Sequence, residues 1–175
     1  SALDSASSAL TDATAASGRE AASTDDTIVS ASSDADGVLG TYEIVVGKLA
    51  QSQVTASFGQ YDDTDETIVA NGGILTIGGV DVDVTNKSLT LEGLADAINN
   101  TADIAVTATI VSPESGKYLL VLTGKDTGDA SAFAVVDTTL TLDSAPLTAM
   151  FASDTRAAAD AELTVNDIAI KSATN

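Results

Sequence analysis

The sequence predicts a β-rich α+β fold in which antiparallel hairpins surround one short helix. Three observations carry this. Val, Ile and Thr recur in short alternating runs fenced by Gly, Asp and Ser, as strands are. One stretch, LEGLADAI at 91–98, switches to helical spacing. Two hairpin patterns, at 74–84 and 162–172, echo one another.

Composition narrows the functions open to such a fold. The 175 residues suffice for one ordinary domain or two small ones, and a chain of this size removes roughly 70% of its unfolded surface from water. With 44% hydrophobic residues but only three Tyr, three Phe and no Trp, the core is expected to be aliphatic. Seven basic against 26 acidic residues leave a net charge of −19, which repels phosphate backbones and anionic headgroups. Neither nucleic acid nor a membrane is expected as partner. Cysteine and histidine are both absent, which excludes disulfides, thiolate and imidazole chemistry and the common zinc and iron ligands. No apolar run approaches the roughly 18 residues of a membrane span, and the N-terminus lacks the basic-then-apolar order of a cleaved signal. The pattern looks cut at both ends.

Residues 1–28 are expected to hold the end of a helix and a linker, 29–145 the main β-rich domain, and 146–175 a second linker and hairpin. In ALDSASSALTDATAA, Leu3 and Leu10 stand seven residues apart among alanines. That spacing suits either a helix packed on a partner or a solvated tail. Thr27–Ala31 and residues 40–53 read as strands, with Tyr42, Ile44 and Val46 on one face. Between them Asp34, Asp36 and Gly37 resemble the start of a calcium loop but lack the ligands that should follow, so a plain turn accounts for them.

The best-defined unit is GGILTIGGVDVDVTNKSLTLEGLADAINN, residues 72–100. A two-residue turn at Gly78–Gly79 sets Ile77 opposite Val80 and Leu75 opposite Val82 on a core face, with Thr76 opposite Asp81 on the wet one. Thr90 is placed to cap the helix, Glu92 sits in its first turn, and Leu91, Leu94 and Ile98 form its apolar stripe. Asn99 and Asn100 are expected to end it in the left-handed conformation. IAVTATIV and YLLVLTG then add two strands, completing β-β-α-β-β, and the apolarity of YLLVL predicts cover on both faces. After a strand near 138–142 and Pro146, a short helix is expected around Leu147–Phe151. The second hairpin uses Asn166–Asp167 as its turn, pairing Val165 with Ile168, Leu163 with Ile170, and Glu162 with Lys171.

Candidate chemistry is thin. GKDTG at 124–128 lacks the upstream glycine and the Ser or Thr of a phosphate loop. Asp62, Asp63, Asp65 and Glu66 cluster in YDDTDE and could in principle supply a carboxylate pair for glycoside hydrolysis, but a solvated loop explains them. No catalytic, cofactor-binding or metal-ligating residue is assigned, and no cofactor is expected.

The succession DADGVLGTYEIVVGKLAQSQ, SLTLEGLADAINN, VTATIVSPESGKYLLVLTGKDTG and DAELTVNDIAIKSATN resembles the flagellar hook-associated protein 2 (FliD, filament cap) family. The match runs from the end of its coiled leg through its head, with Ile98 and Asn99 as the pair of a flagellin IN motif. Asp167 departs from the family's usual glycine. The resemblance implies a non-enzymatic subunit exported through the flagellar type III apparatus and working outside the cell at the filament tip. It would form a ring with copies of itself, meet the hook-filament junction proteins, and promote folding and polymerisation of flagellin. The alternatives are an adhesion module for host surface glycans, for which so few aromatics are a poor platform, or an outer domain of flagellin itself.

Overall fold

The structure is a computed structural model, and it describes residues 19–34, 36–147, 150–151 and 155–175. The helix expected within residues 2–16 lies outside them, as does part of the helix expected around 147–151. The chain divides into two compact units, 1–42 and 43–175.

In the first unit the strand expected at Thr27–Ala31 is a turn instead. The amides of Ile28 and Val29 both donate to the Asp25 carbonyl, and the Asp25 carboxylate accepts from the Thr27 amide at 3.0 Å. An aspartate side chain that takes nearby amides diverts the backbone from a ladder. Asp34 does begin a plain turn, closed by the Gly37 amide on its carbonyl.

The second unit contains β1 (Ile44–Lys48), β2 (Val54–Ala56), β3 (Ile74–Ile77), β4 (Val80–Asp83), α1 (Leu91–Asn99), β5 (Val106–Glu114), β6 (Lys117–Gly124), β7 (Val135–Val136), β8 (Thr141–Leu142), β9 (Ala145–Pro146), β10 (Ala161–Val165) and β11 (Ile168–Ser172). They form antiparallel sheets in the orders β2-β6-β5, β4-β3-β7 and β1-β10-β11, with β8 and β9 as a separate hairpin. The fold is the β-rich α+β arrangement expected.

The 72–100 unit forms in the predicted register, Ile77 with Val80, Leu75 with Val82 and Thr76 with Asp81. Gly78 and Gly79 have φ of 58° and 83°, the paired left-handed turn that matches strand twist. Thr76 Oγ1 donates to the Asp81 carboxylate at 2.6 Å on the exposed face. Just upstream, Gly73 at φ 88° lies so close to the Thr139 carbonyl that a Cβ would overlap it. Thr90 caps α1 by accepting from the Gly93 amide at 3.2 Å. Leu91, Leu94 and Ile98 are fully buried in one cluster with Leu75, Ile77, Val82, Leu120 and Leu122.

Two expectations are corrected here. Neither Asn99 nor Asn100 is left-handed. Asn100 closes the helix in right-handed geometry at φ −88° and ψ −1°, and the positive φ falls later, at Asp103. Asn99 turns its carboxamide onto β5, where Nδ2 donates to the Ala108 carbonyl and Oδ1 accepts the Ala108 amide, both at 2.8 Å. The YLLVL strand is also not fully covered on both faces. Leu120 and Leu122 are buried toward α1, whereas Leu119 and Val121 on the opposite face stay half-buried, because the helix supplies a layer on one side only.

Leu94→Ala should cost on the order of 2–5 kcal/mol by opening a cavity, whereas Asp81→Asn should stay within about 0.5 kcal/mol; paired denaturant melts decide both. The same melts test the Asn99 contact. Asn99→Ala leaves the Ala108 amide and carbonyl without partners, for a loss of about 1–3 kcal/mol, while Asn100→Ala should be close to neutral.

Candidate functional site

Of the four carboxylates in the acidic loop that offered chemistry, Asp62 and Asp63 are committed to structure, while Asp65 and Glu66 lie exposed to solvent. Asp63 accepts the Glu66 amide at 3.0 Å, the Thr67 amide at 2.8 Å and the Thr67 hydroxyl at 2.5 Å. The Thr67 hydroxyl and then its amide hold the Asp63 carboxyl below the usual range, so it is a turn-forming anion and a poor general acid. Asp62 pairs with Lys117 across to β6. The loop also serves the helix, because the Thr64 carbonyl accepts the Glu92 amide at 2.8 Å, a first-turn donor that has no partner within α1.

The GKDTG segment is equally structural. Lys125 Nζ donates to the Ile104 carbonyl at 2.8 Å, Thr127 Oγ1 to the Ala173 carbonyl at 2.6 Å, and the Gly128 amide to the Gln51 carbonyl at 3.2 Å. It ties the end of β6 to the residues after β11, and no cradle of convergent amides remains for a phosphate. Among the described residues, no three acidic, imidazole or thiol groups gather closely enough to hold a metal ion.

Sequence reading missed the buried polar side chain Gln53. Its Nε2 donates to the Phe133 carbonyl at 2.7 Å, and its Oε1 accepts the Phe133 amide at 2.8 Å. Asn175 holds Ala50 in the same two-bond manner, at 2.6 and 3.2 Å. An isolated glutamine beside short strands carries no pattern that marks it as buried, so no signal could have found it.

The surface with the most unspent chemistry is the β1-β10-β11 sheet. On one face Glu162 accepts from Lys171 and Lys48, each at 3.2 Å, as the cross-strand pairing predicted for Glu162 and Lys171. The two ammonium groups, Lys171 first, hold the Glu162 carboxyl below its ordinary value. Beside them is an open depression of about 390 Å³ lined by Val45, Gly47, Thr164, Ala169 and backbone neighbours. A single carboxylate between two lysines offers no acid and base pair for catalysis.

Fold and side chains together define a β-rich scaffold whose polar groups are committed to turns, caps and strand edges. The family profile for "Flagellar hook-associated protein 2 N-terminus" matches residues 1–53. Flagellar hook-associated protein 2 of Escherichia coli K12 is 34% identical over 163 residues, covering 85% of this chain and 34% of that protein. Its counterpart in Aeromonas caviae is 32% identical over 87% of this chain and 33% of its own length. Among solved structures, the D2-D3 domains of the E. coli flagellar cap protein FliD superpose with a TM-score of 0.67 at 32% identity, over 83% of this chain and 80% of that one. FliD (HAP2) of Pseudomonas aeruginosa PAO1 gives 0.60 at 30% identity, over 79% and 68%. The chain belongs to the flagellar hook-associated protein 2 family. It spans about a third of the length of the curated relatives it matches.

The lowered carboxyl value at Glu162 means that the folded sheet binds its proton less readily than the unfolded chain. Its contribution is present above the ordinary glutamate value near 4.5 and is lost as pH falls through the lower folded value. Amide exchange at Leu163 and Ile170 should accelerate relative to Leu122 between about pH 5 and pH 3, and Glu162→Gln should flatten that dependence.

Proposed function

We propose that this chain is part of a structural subunit of the flagellar filament cap, which assembles with copies of itself at the filament tip and promotes flagellin folding and polymerisation. The observation that carries the reading is the joint match in sequence and fold, 32% identity and a TM-score of 0.67 over 80% of a cap protein's D2-D3 structure. The subunit works outside the cell after export through the flagellar apparatus, and it needs no catalytic residue, cofactor or metal. Residues 29–145 act as head and 146–175 extend it. Supporting this is a polar inventory committed to structure: Asp63, Asn99 and Lys125 all serve backbone groups. No helix among the described residues is long and apolar enough to cross a membrane.

Charge fits a solvent-facing plate. Bringing several chains of net charge −19 together costs electrostatic work that salt relieves, so assembly is expected to draw on parts of the cap outside this span.

Deleting the gene from its bacterium should abolish filaments while flagellin is shed as monomer, and the full-length gene supplied in trans should restore both. Intact filaments with lost surface attachment would replace this reading with an adhesion module.

A further inference from the structure

The sequence holds one Asn-Gly pair, Asn71–Gly72, where the chain enters β3, and the fold needs each member for its own reason. Asn71 Nδ2 donates to the Asp143 carboxylate and Asn71 Oδ1 accepts the Asp143 amide, both at 2.9 Å, so the carboxamide clasps the turn between β8 and β9. Gly72 faces Thr141 across a two-bond bridge. The Asn71 amide donates to the Thr141 carbonyl and the Thr141 amide to the Gly72 carbonyl, each at 2.9 Å. A Cβ at Gly72 would lie 2.5 Å from Thr141 Oγ1, so a side chain there would push β8 away.

Side by side, these two residues can also react. The Gly72 nitrogen, unhindered by a Cβ, can attack Asn71 Cγ. An N–Cγ bond forms, the nitrogen gives up its proton, and the carboxamide nitrogen leaves as ammonia, which closes a five-membered succinimide. Water then opens the ring at either carbonyl carbon. Breaking the new N–Cγ bond leaves an aspartyl residue, whereas breaking the original peptide bond leaves an isoaspartyl one, whose main chain runs through the former side chain. Water is the co-reactant, and nothing is oxidised or reduced.

We infer that Asn71 is a deamidation site gated by the β8-β9 hairpin, and that its conversion releases that hairpin irreversibly. Ring closure requires the carboxamide to leave Asp143 and the Asn71–Gly72 peptide to leave its pairing with Thr141, so the folded chain reacts only through local opening. The product has no amide proton to give Asp143. It sets a carboxylate against a carboxylate where Nδ2 met Oδ1. The isoaspartyl form also adds an atom to the main chain between the two groups bonded to Thr141. This goes beyond the cap reading and does not depend on it.

Ageing the full-length protein in mildly alkaline buffer, folded and in urea, tests the inference. Trypsin releases the peptide between Lys48 and Lys87, and fragmentation mass spectrometry scores conversion of amide to acid at position 71 separately from Asn86. Asn71 should convert in the unfolded chain and at least about tenfold more slowly in the folded one. Asp143→Ala should raise the folded rate about fivefold or more, while Asp143→Asn, which keeps an acceptor for Asn71, should not. In the converted fraction the amides of Thr141 and Asp143 should exchange about tenfold faster, with Leu122 unchanged. Equal rates in folded and unfolded chains would overturn the inference, as would no conversion in urea or a folded Asp143→Ala protein that ages no faster. So would a converted protein whose Asp143 amide exchanges as before, a comparison that stands even if Asp143→Ala fails to fold.

Discussion

The structure depends on side-chain carboxamides taking the place of missing strands. Each sheet in the second unit is at most three strands wide, so most strands are edges whose amides and carbonyls would otherwise lack partners. A carboxamide presents one acceptor and a donor at the spacing of a backbone peptide, and three of them clamp both polar groups of a single residue: Gln53 on Phe133, Asn99 on Ala108 and Asn175 on Ala50. Asn99 closes the outer edge of β5 and fixes the end of α1 to the sheet beneath it. Gln53 joins the start of β2 to the segment entering β7. Asn175 joins the end of the chain to the residues after β1.

These clamps let a sequence almost without aromatics build a firm body. Aliphatic side chains divide the core finely, and Leu75 and Ile77 of one narrow sheet and Leu120 and Leu122 of another join Leu91, Leu94 and Ile98 of α1 in a single buried cluster. The result is a core held by packing and local polar bonds within a chain of strongly negative net charge. In YDDTDE, Asp63 organises the loop whose Thr64 carbonyl meets the start of α1.

Whatever rested on period or turn chemistry was legible in the sequence. The alternation in 74–83 predicts its register, Thr90 announces the helix start, and the pairing of Glu162 with Lys171 follows from a two-residue turn. The Asn166–Asp167 turn adopts φ of 48° and 65° without a glycine, since Asn and Asp tolerate the left-handed region. What could not be read depends on contacts remote in sequence. Nothing local shows that β1 pairs with β10, that Asn99 faces Ala108, or that Gln53 is buried, because a polar residue reveals a buried role only once its partner is known. Ile28 and Val29 failed as a strand for a related reason: among the described residues no second strand meets them, and the Asp25 carbonyl takes their amides.

Native-state hydrogen exchange at the amides of Ala108 and Phe133 tests the central claim most directly. Neither amide donates to a backbone carbonyl in a ladder; each donates to a carboxamide. If the clamps act as strand substitutes, both amides exchange as slowly as that of Leu122 in the buried centre of its sheet and respond together to denaturant. Exchange at the rate of an open loop such as Gly59, with Leu122 still protected, would show that the carboxamides merely decorate edges already held by packing.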